Sequence, residues 1–222
     1  MSGHRVLVTG AAGYLGSTLV GSLAQRLPAA GWPAGQLGDA DGRCTSDRGI
    51  EYIVATDVRE TPEADRLPGV EYGVMDVRDR ALAETLRQHA IDTVVHLAAI
   101  VTPGPKSNRE LEYSVDVLGT RNVLEACVTA GVERIVVTSS GAAYGYHADN
   151  PEWLTEDDPV RGNEAFAYSH HKRLVEEMLA EYREAHPRLR QVVFRVGTIL
   201  GETTSNQITA LFERPRLIAI RG

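Results

Sequence analysis

The 222-residue sequence lacks the features that mark several classes of protein. Its two cysteines, Cys44 and Cys127, are too few for a disulfide framework or a cysteine metal site, so we expect a reducing, cytoplasmic location. No apolar run is long enough to span a membrane, and no signal-peptide pattern is present. The one adjacent histidine pair, His170 and His171, points apart on a helix, so no metal site is predicted. A formal charge of -7 without a dense Lys/Arg cluster argues against nucleic-acid binding.

The chain begins with the pattern of a strand, a glycine turn and a helix. A β-branched apolar run at 5–9 leads into GAAGYLG at 10–16, and apolar residues at helical spacing follow. Backbone N–H groups and the helix dipole at such a turn hold a pyrophosphate. Gly10 allows the tight turn, Gly13 allows close approach of phosphates, and Gly16 allows the helix to pack on the strand. The spacing differs from the commoner G-x-G-x-x-G, and an ordinary strand-to-helix turn is the alternative interpretation.

The rest of the chain alternates between two patterns. Short apolar runs predict strands, which we place at residues 5–9, 51–56, 69–75, 91–99, 133–138 and 191–196. Helical apolar spacing predicts helices, which we place after the glycine turn and at residues 79–89, 107–130 and 163–185. Six strands alternating with helices predict an α/β fold with a doubly wound parallel sheet and right-handed crossovers. The carboxyl ends of such strands form one edge, where ligands bind.

Asp57 follows the second predicted strand, where a dinucleotide site holds a ribose hydroxyl. A Gly- and Pro-rich loop at 27–49 makes the distance from Gly16 about twice the usual one. A carboxylate here favours NAD over NADP, because it repels a 2′-phosphate. Arg59 lies close by and keeps NADP open as the weaker alternative. A solvated aspartate at a strand end is the interpretation that involves no cofactor.

Tyr168 and Lys172 stand four residues apart on a predicted helix and therefore share a face. We expect the opposite charge of Lys172 to lower the pKa of Tyr168 towards neutrality, which makes Tyr168 a general acid or base for a substrate hydroxyl. Ser140, at the end of the fifth strand, is placed to hydrogen-bond the same oxygen. A nicotinamide ring on this edge would exchange a hydride with the carbon. An exposed tyrosine beside a solvated lysine is the alternative.

The order of these motifs resembles that of the extended short-chain dehydrogenase/reductase family and, within it, the NAD-dependent epimerase/dehydratase group. The resemblance covers almost the whole chain. It rests on TGAAGYLG at 9–16, DV at 76–77, HLAA at 96–99, GTRNVLEA at 119–126, SSGAAYG at 139–145 and the pair Tyr168 and Lys172.

The resemblance implies a site, a division of the chain and a partner. The implied catalytic residues are Ser140, Tyr168 and Lys172. The implied cofactor-binding residues are Gly10, Gly13, Tyr14, Leu15, Gly16, Asp57, Asp76, Val77, Leu97, Ala98, Ala99, Thr138, Tyr168, Lys172, Val196, Gly197 and Thr198. Residues 1–200 would form an NAD-binding Rossmann domain, and residues 201–222 would begin an incomplete substrate-binding lobe. Members of the family commonly form homodimers through the two long helices, predicted here at 107–130 and 163–185.

Two positions depart from the pattern of the family. Asp116 stands where members usually carry an asparagine with a structural or proton-relay role, so the resemblance does not carry that role over to this chain. Gly141 and Ala142 stand where 4,6-dehydratases carry Asp-Glu, which argues against dehydration. We therefore expect an NAD-dependent epimerase that acts on a hydroxyl or ketone carbon of a nucleotide sugar. A reductase or dehydrogenase of a small carbonyl or steroid-like substrate, and a non-catalytic nicotinamide-binding regulator, are the alternatives.

Overall fold

The computed structural model describes residues 3–28, 49–101 and 108–201 of the chain. Most of the loop predicted at 27–49 and nearly all of the lobe predicted at 201–222 lie outside these ranges, as does Cys44. The strands are β1 (His4–Thr9), β2 (Ile50–Asp57), β3 (Val70–Val74), β4 (Thr93–His96), β5 (Arg134–Ser140) and β6 (Arg190–Val196). The helices are α1 (Tyr14–Ala24), α2 (Leu82–Gln88), α3 (Arg109–Tyr113), α4 (Thr120–Ala130) and α5 (Ala167–Ala185).

The six strands form one parallel sheet in the order β3-β2-β1-β4-β5-β6. The chain builds outward from β1 to β3, then crosses back to place β4 on the other side of β1. This reversal creates a crevice at the carboxyl ends of β1 and β4, which is where open α/β sheets bind ligands. The predicted doubly wound parallel sheet is confirmed.

β4 ends at His96, three residues before the end of the predicted strand. The reason is a turn of the chain across the end of β1. The backbone N–H of Leu97 donates to the carbonyl oxygen of Thr9 at 3.2 Å, and that of Ala98 donates to the hydroxyl of Thr9 at 3.4 Å. The small residues that follow His96 therefore lie over the glycine turn instead of extending the strand.

The two long helices also differ from their predicted bounds. The described part of the helix predicted at 107–130 consists of α3, a π-helical segment at Ser114–Gly119, and α4. α4 ends before Gly131, whose φ of +75° is the left-handed conformation that glycine adopts readily. α5 begins at Ala167 and not at residue 163, because Phe166 is still extended.

The core lies on both faces of the sheet because residues alternate along each strand. On one face, Leu7 and Ile135 pack against α2, α4 and α5 through residues such as Leu124 and Leu179. On the other face, Val8 and its neighbours pack beneath α1. Burial on both faces explains why the central strands are continuously apolar in sequence. Among the described residues, no helix is both long and apolar enough to cross a bilayer.

Candidate active site

The glycine turn between β1 and α1 presents bare backbone at the start of a helix. Gly10 has a φ of +71°, and a Cβ there would lie 2.7 Å from the backbone nitrogen of Ala98. A Cβ at Gly16 would overlap the carbonyl oxygen of Gly10. Gly13 immediately precedes the first turn of α1, at the positive end of the helix dipole. Gly10 and Gly16 therefore have steric reasons to lack a side chain, and the approach of phosphates to Gly13 stays a prediction.

Asp57 connects the end of β2 to this turn. Its carboxylate accepts hydrogen bonds from the backbone N–H groups of Ala12 at 3.1 Å and Arg59 at 3.0 Å. The Nε of Arg59 also donates to it at 3.3 Å, and Nη2 of the same guanidinium donates to the carbonyl oxygen of Ala12 at 3.0 Å. The side chain of Asp57 is 9% exposed. The interpretation of Asp57 as a solvated strand-end residue is therefore wrong.

Asp76 and Val77 follow β3 with different surroundings. The Asp76 carboxylate accepts hydrogen bonds from Arg78, and these hold the pKa of Asp76 below its ordinary value of 3.8. Arg78 also donates to the hydroxyl of Ser114 at 3.0 Å, at the start of the π-helical segment. Val77 is buried against Gly119. A side chain at Gly119 would clash with it, since an added Cβ would lie 2.7 Å from Cγ2 of Val77. The chain after β3 is thereby held against the π-helical segment.

Lys172 lies inside the protein, on the side of α5 that faces β5. It is 7% exposed, and its Nζ donates to the carbonyl oxygen of Thr138 at 2.9 Å. Burial lowers the pKa of Lys172 below its ordinary value of 10.5. The same Nζ lies 5.6 Å from the centre of the Tyr168 ring, so the predicted pairing on one helix face is present.

The pKa of Tyr168 contradicts the sequence-based expectation. Burial raises it above the ordinary value of 10.0, although a hydrogen bond with Ser140 acts in the opposite direction. Lys172 does not bring the phenol towards neutrality here, because the cost of burying a phenolate outweighs the favourable contacts. Ser140 itself ends β5, and its Oγ accepts the backbone N–H of Ala142 at 3.1 Å. The phenol is therefore protonated at neutral pH in this structure.

Sequence reasoning missed a buried polar chain beneath the crevice. The Thr9 hydroxyl lies 2.8 Å from Nδ1 of His96, and Nε2 of that ring lies 2.9 Å from the Thr120 hydroxyl. Thr120 donates its single proton to the carbonyl oxygen of Asp116 at 2.6 Å, so His96 must donate through Nε2 and accept through Nδ1. Burial lowers the pKa of His96 to about 3, which keeps the ring neutral. The signal was a histidine at the end of an apolar strand.

A second missed group fixes the end of β6 relative to α5. The carboxylate of Glu176 accepts from the Ser139 hydroxyl and from Arg195, whose Nε and Nη2 lie 2.9 and 2.7 Å from Oε2. Nη1 of Arg195 donates to the Tyr144 hydroxyl at 2.8 Å. An arginine inside an apolar strand, with a glutamate four residues after Lys172, was the available signal. Since β5 pairs with β6 up to Ser140 and Val196, this group sets the edge of the site.

The remaining predicted residues lie along the same edge of the sheet. Tyr14 and Leu15 begin α1, and Tyr14 is 37% exposed. Val196, Gly197 and Thr198 follow at the end of β6. Ala98, Ala99 and Thr138 line a cavity of about 10 Å³, together with His96, Asp116, Thr120, Val137, Lys172 and Val175. Within the described ranges, no group of three or more His, Cys, Asp or Glu residues is placed to hold a metal ion.

The model of the NAD dependent epimerase/dehydratase family matches residues 33–216. The chain belongs to this family. UDP-glucose 4-epimerase of Erwinia amylovora is 31% identical over 208 residues, which are 91% of this chain and 56% of that protein. The solved UDP-glucose 4-epimerase of Thermus thermophilus, in complex with NAD, is 30% identical to this chain, with a TM-score of 0.63. The superposed region is 86% of this chain and 54% of the Thermus chain.

A third protein supports the same fold. MoeE5, solved with UDP-glucuronic acid and NAD, is 30% identical to this chain, with a TM-score of 0.64. The superposed region is 86% of this chain and 54% of the MoeE5 chain. The family expected from the motifs and the Rossmann-like α/β fold are confirmed. The chain spans little more than half the length of the curated relatives it matches, 56% of the first of them.

Proposed function

We propose that this chain is the dinucleotide-binding part of an NAD-dependent epimerase that acts on a hydroxyl carbon of a nucleotide sugar. One observation carries the proposal: Ser140, Tyr168 and Lys172 come together on the sheet edge that also bears the glycine turn. The three side chains would handle a proton and the glycine turn would hold a diphosphate, and their position on one edge of the sheet supports the proposal. The similarity to UDP-glucose 4-epimerases supports the class of substrate.

The residues of the glycine turn fit the cofactor. Side chains are excluded sterically at Gly10 and Gly16, which leaves backbone N–H groups at the start of α1 for the diphosphate. Asp57 is held at the end of β2, where it would accept from the hydroxyls of the adenosine ribose and repel the 2′-phosphate of NADP. When bound, NAD supplies a hydride acceptor and a positive charge beside the reacting carbon.

Proton transfer is assigned to Tyr168. In this structure the phenol is protonated, which suits donation to a ketone oxygen as the carbon takes a hydride back. The reverse step needs the phenolate, and a positive charge at the cofactor end of the crevice would favour that form. Ser140 would hold the same substrate oxygen in line. Lys172 contributes its charge from inside the protein, where its hydrogen bond to Thr138 fixes its position.

The test is a screen of UDP-, GDP- and dTDP-sugars with NAD and the full-length protein, substrate-binding part included, following NADH absorbance and the sugar products by chromatography. An epimer without net NADH supports the proposal. Net NADH with an oxidised sugar would instead assign a dehydrogenase, and NAD binding without turnover of any sugar or small carbonyl would favour the regulatory alternative. Tyr168→Phe is the control that connects any turnover to this site.

We extend the proposal to a homodimer in a cytoplasmic location. Tyr113 and Leu118, on the α3 and π-helical stretch, are 39% and 46% exposed, as expected for an apolar surface that a second copy covers. Cys127 is a free, buried thiol, which suits a reducing compartment. Light scattering on the wild type and on Leu118→Glu tests the dimer. A monomeric wild type would overturn it.

A further inference from the structure

A buried acid and a buried histidine meet directly behind the proposed catalytic lysine. The Asp116 carboxylate and the His171 ring are each 5% exposed, and Oδ2 lies 3.2 Å from Nδ1. The other carboxylate oxygen accepts the backbone N–H of Ile100 at 2.8 Å. His171 is the residue before Lys172 on α5. A carboxylate is rarely buried so completely unless its oxygens are hydrogen-bonded, as both are here.

Asp116 belongs to the π-helical segment, which places it on the opposite wall from α5. Such one-turn π segments displace a side chain from the regular helical face. Asp116 and Lys172 both line the cavity of about 10 Å³ described above. Among the described residues, the other ionisable groups that face Lys172 are Tyr168 and Glu176 on its own helix and His96 on β4. His96 is neutral, so the negative charge around the lysine comes from the two carboxylates, of which Glu176 is already paired with Arg195.

We propose that Asp116 and His171 form a positioning pair that holds a negative charge against Lys172, keeps this buried lysine protonated, and thereby adjusts the proton transfer of Tyr168. His171 fixes the orientation of the carboxylate through its ring N–H. Asp116 then faces Lys172 across the cavity. This role rests on the proposed function, in which Lys172 and Tyr168 serve one reaction.

The electrostatic couplings agree in sign with this geometry. Asp116 raises the pKa of Lys172, against the larger effect of burial. Burial also raises the pKa of Asp116 above its ordinary value of 3.8, and the hydrogen bonds from Ile100 and His171 and the charge of Lys172 oppose that rise. Asp116 also raises the pKa of Tyr168. The pair therefore supports a charged lysine while it opposes a charged phenol, and it sets the pH at which the two act together.

The small number of lysines allows a direct test. The chain contains two, Lys106 and Lys172, so side-chain NMR of lysine labelled with ¹³C and ¹⁵N gives two titrating signals, and Lys106→Arg assigns them. We expect Asp116→Asn to lower the titration midpoint of Lys172 by about one pH unit, since an opposing charge is lost. Glu177→Gln, which removes an exposed carboxylate from the same helix, should leave it in place. An unchanged midpoint in Asp116→Asn overturns the proposal.

A second comparison tests the contribution of His171. In His171→Ala the carboxylate loses one donor, so the shift caused by Asp116→Asn should become smaller in this background. His171→Asn retains an N–H donor near the position of Nδ1 and should restore the full shift. If Asp116→Asn has its full effect in His171→Ala, the two residues act independently and the pair is overturned. Thermal unfolding identifies any variant that fails to fold, and the conservative His171→Asn keeps the comparison available.

These measurements use the chain without cofactor, so they are separate from the test of the proposed function. NADH binding, followed by fluorescence across the same pH range, connects the two. A shifted Lys172 midpoint with no NADH binding would support the pair and overturn the cofactor assignment. NADH binding with an unmoved midpoint would do the reverse.

Discussion

The Nζ of Lys172 donates to the carbonyl oxygen of Thr138, so a helix residue is anchored to the strand two residues before Ser140. This bond holds the ammonium group inside the protein, away from solvent. The phenol of Tyr168 lies one helical turn earlier, against the same strand end. The side chains proposed for proton transfer are therefore positioned by the packing of α5 on β5.

Replacing Tyr168 by phenylalanine removes the proposed proton donor and keeps the ring. We expect kcat to fall by about 10²–10⁴-fold, the usual contribution of a general acid or base. NADH affinity should change little, because the ring remains in place. Tyr182→Phe, on the same helix but away from the crevice, is the matched control and should retain activity. Steady-state kinetics with the active sugar measures both, and equal kcat values for the two variants would contradict the role of Tyr168.

Replacing Gly16 by alanine tests the close packing of α1 on β1. The new methyl group would meet the Gly10 carbonyl and lie 2.7 Å from the Cα of Ala11, so backbone must move. We expect a loss of about 1–3 kcal/mol in the free energy of unfolding, together with weaker NADH binding. In Gly21→Ala nothing lies within 4 Å of the methyl group, and a gain of about 0.5–1 kcal/mol is expected from helix propensity. Urea denaturation and fluorescence titration compare them; similar effects would refute the packing role.

Replacing Asp57 by asparagine keeps the shape of the side chain and removes its charge. Because the carboxylate would repel a 2′-phosphate, we expect the ratio of NADP to NAD affinity to rise about tenfold, or 1.4 kcal/mol. Arg59 remains nearby to receive the phosphate. Calorimetric titration of both cofactors measures the ratio. Glu60→Gln, at a side chain that is 75% exposed, is the control. A wild type that binds NADP more tightly would reverse the assignment of Asp57.

The neutral state of His96 predicts a pH dependence of stability. Its pKa falls from 6.5 to about 3 on folding, so between these values the unfolded chain binds the proton and the native protein does not. Protonation of His96 therefore costs no stability above pH 6.5. Between pH 6.5 and about 3, the free energy of unfolding falls by about 1.4 kcal/mol for each unit by which the pH is lowered. Urea unfolding between pH 7 and 5 should show a shallower slope in His96→Asn than in wild type. His186→Gln should keep the wild-type slope, and an identical slope in all three proteins would count against a buried neutral ring.

Local patterns were sufficient to predict the sheet, the glycine turn and the placing of Asp57, Ser140 and Tyr168 at strand ends or on one helix face. These features follow from hydrophobic period and from the steric demands of turns, which are properties of neighbouring residues. The predicted bounds of strands and helices were less accurate where contacts between distant parts of the chain end an element. β4 is shortened because residues after His96 bond to Thr9, which is 87 positions earlier in the chain than that histidine.

The sequence by itself determined the class of fold and the residue types available along the sheet edge. Tertiary structure decided their charge states and partners. Tyr168 keeps its proton because the effect of burial on its pKa is larger than that of the favourable contacts. Asp116, in the π-helical segment, contacts His171 on α5. Hydrophobic periodicity is encoded within a few turns of chain. A pKa depends on every group within several ångströms, and packing brings those groups together from distant parts of the sequence.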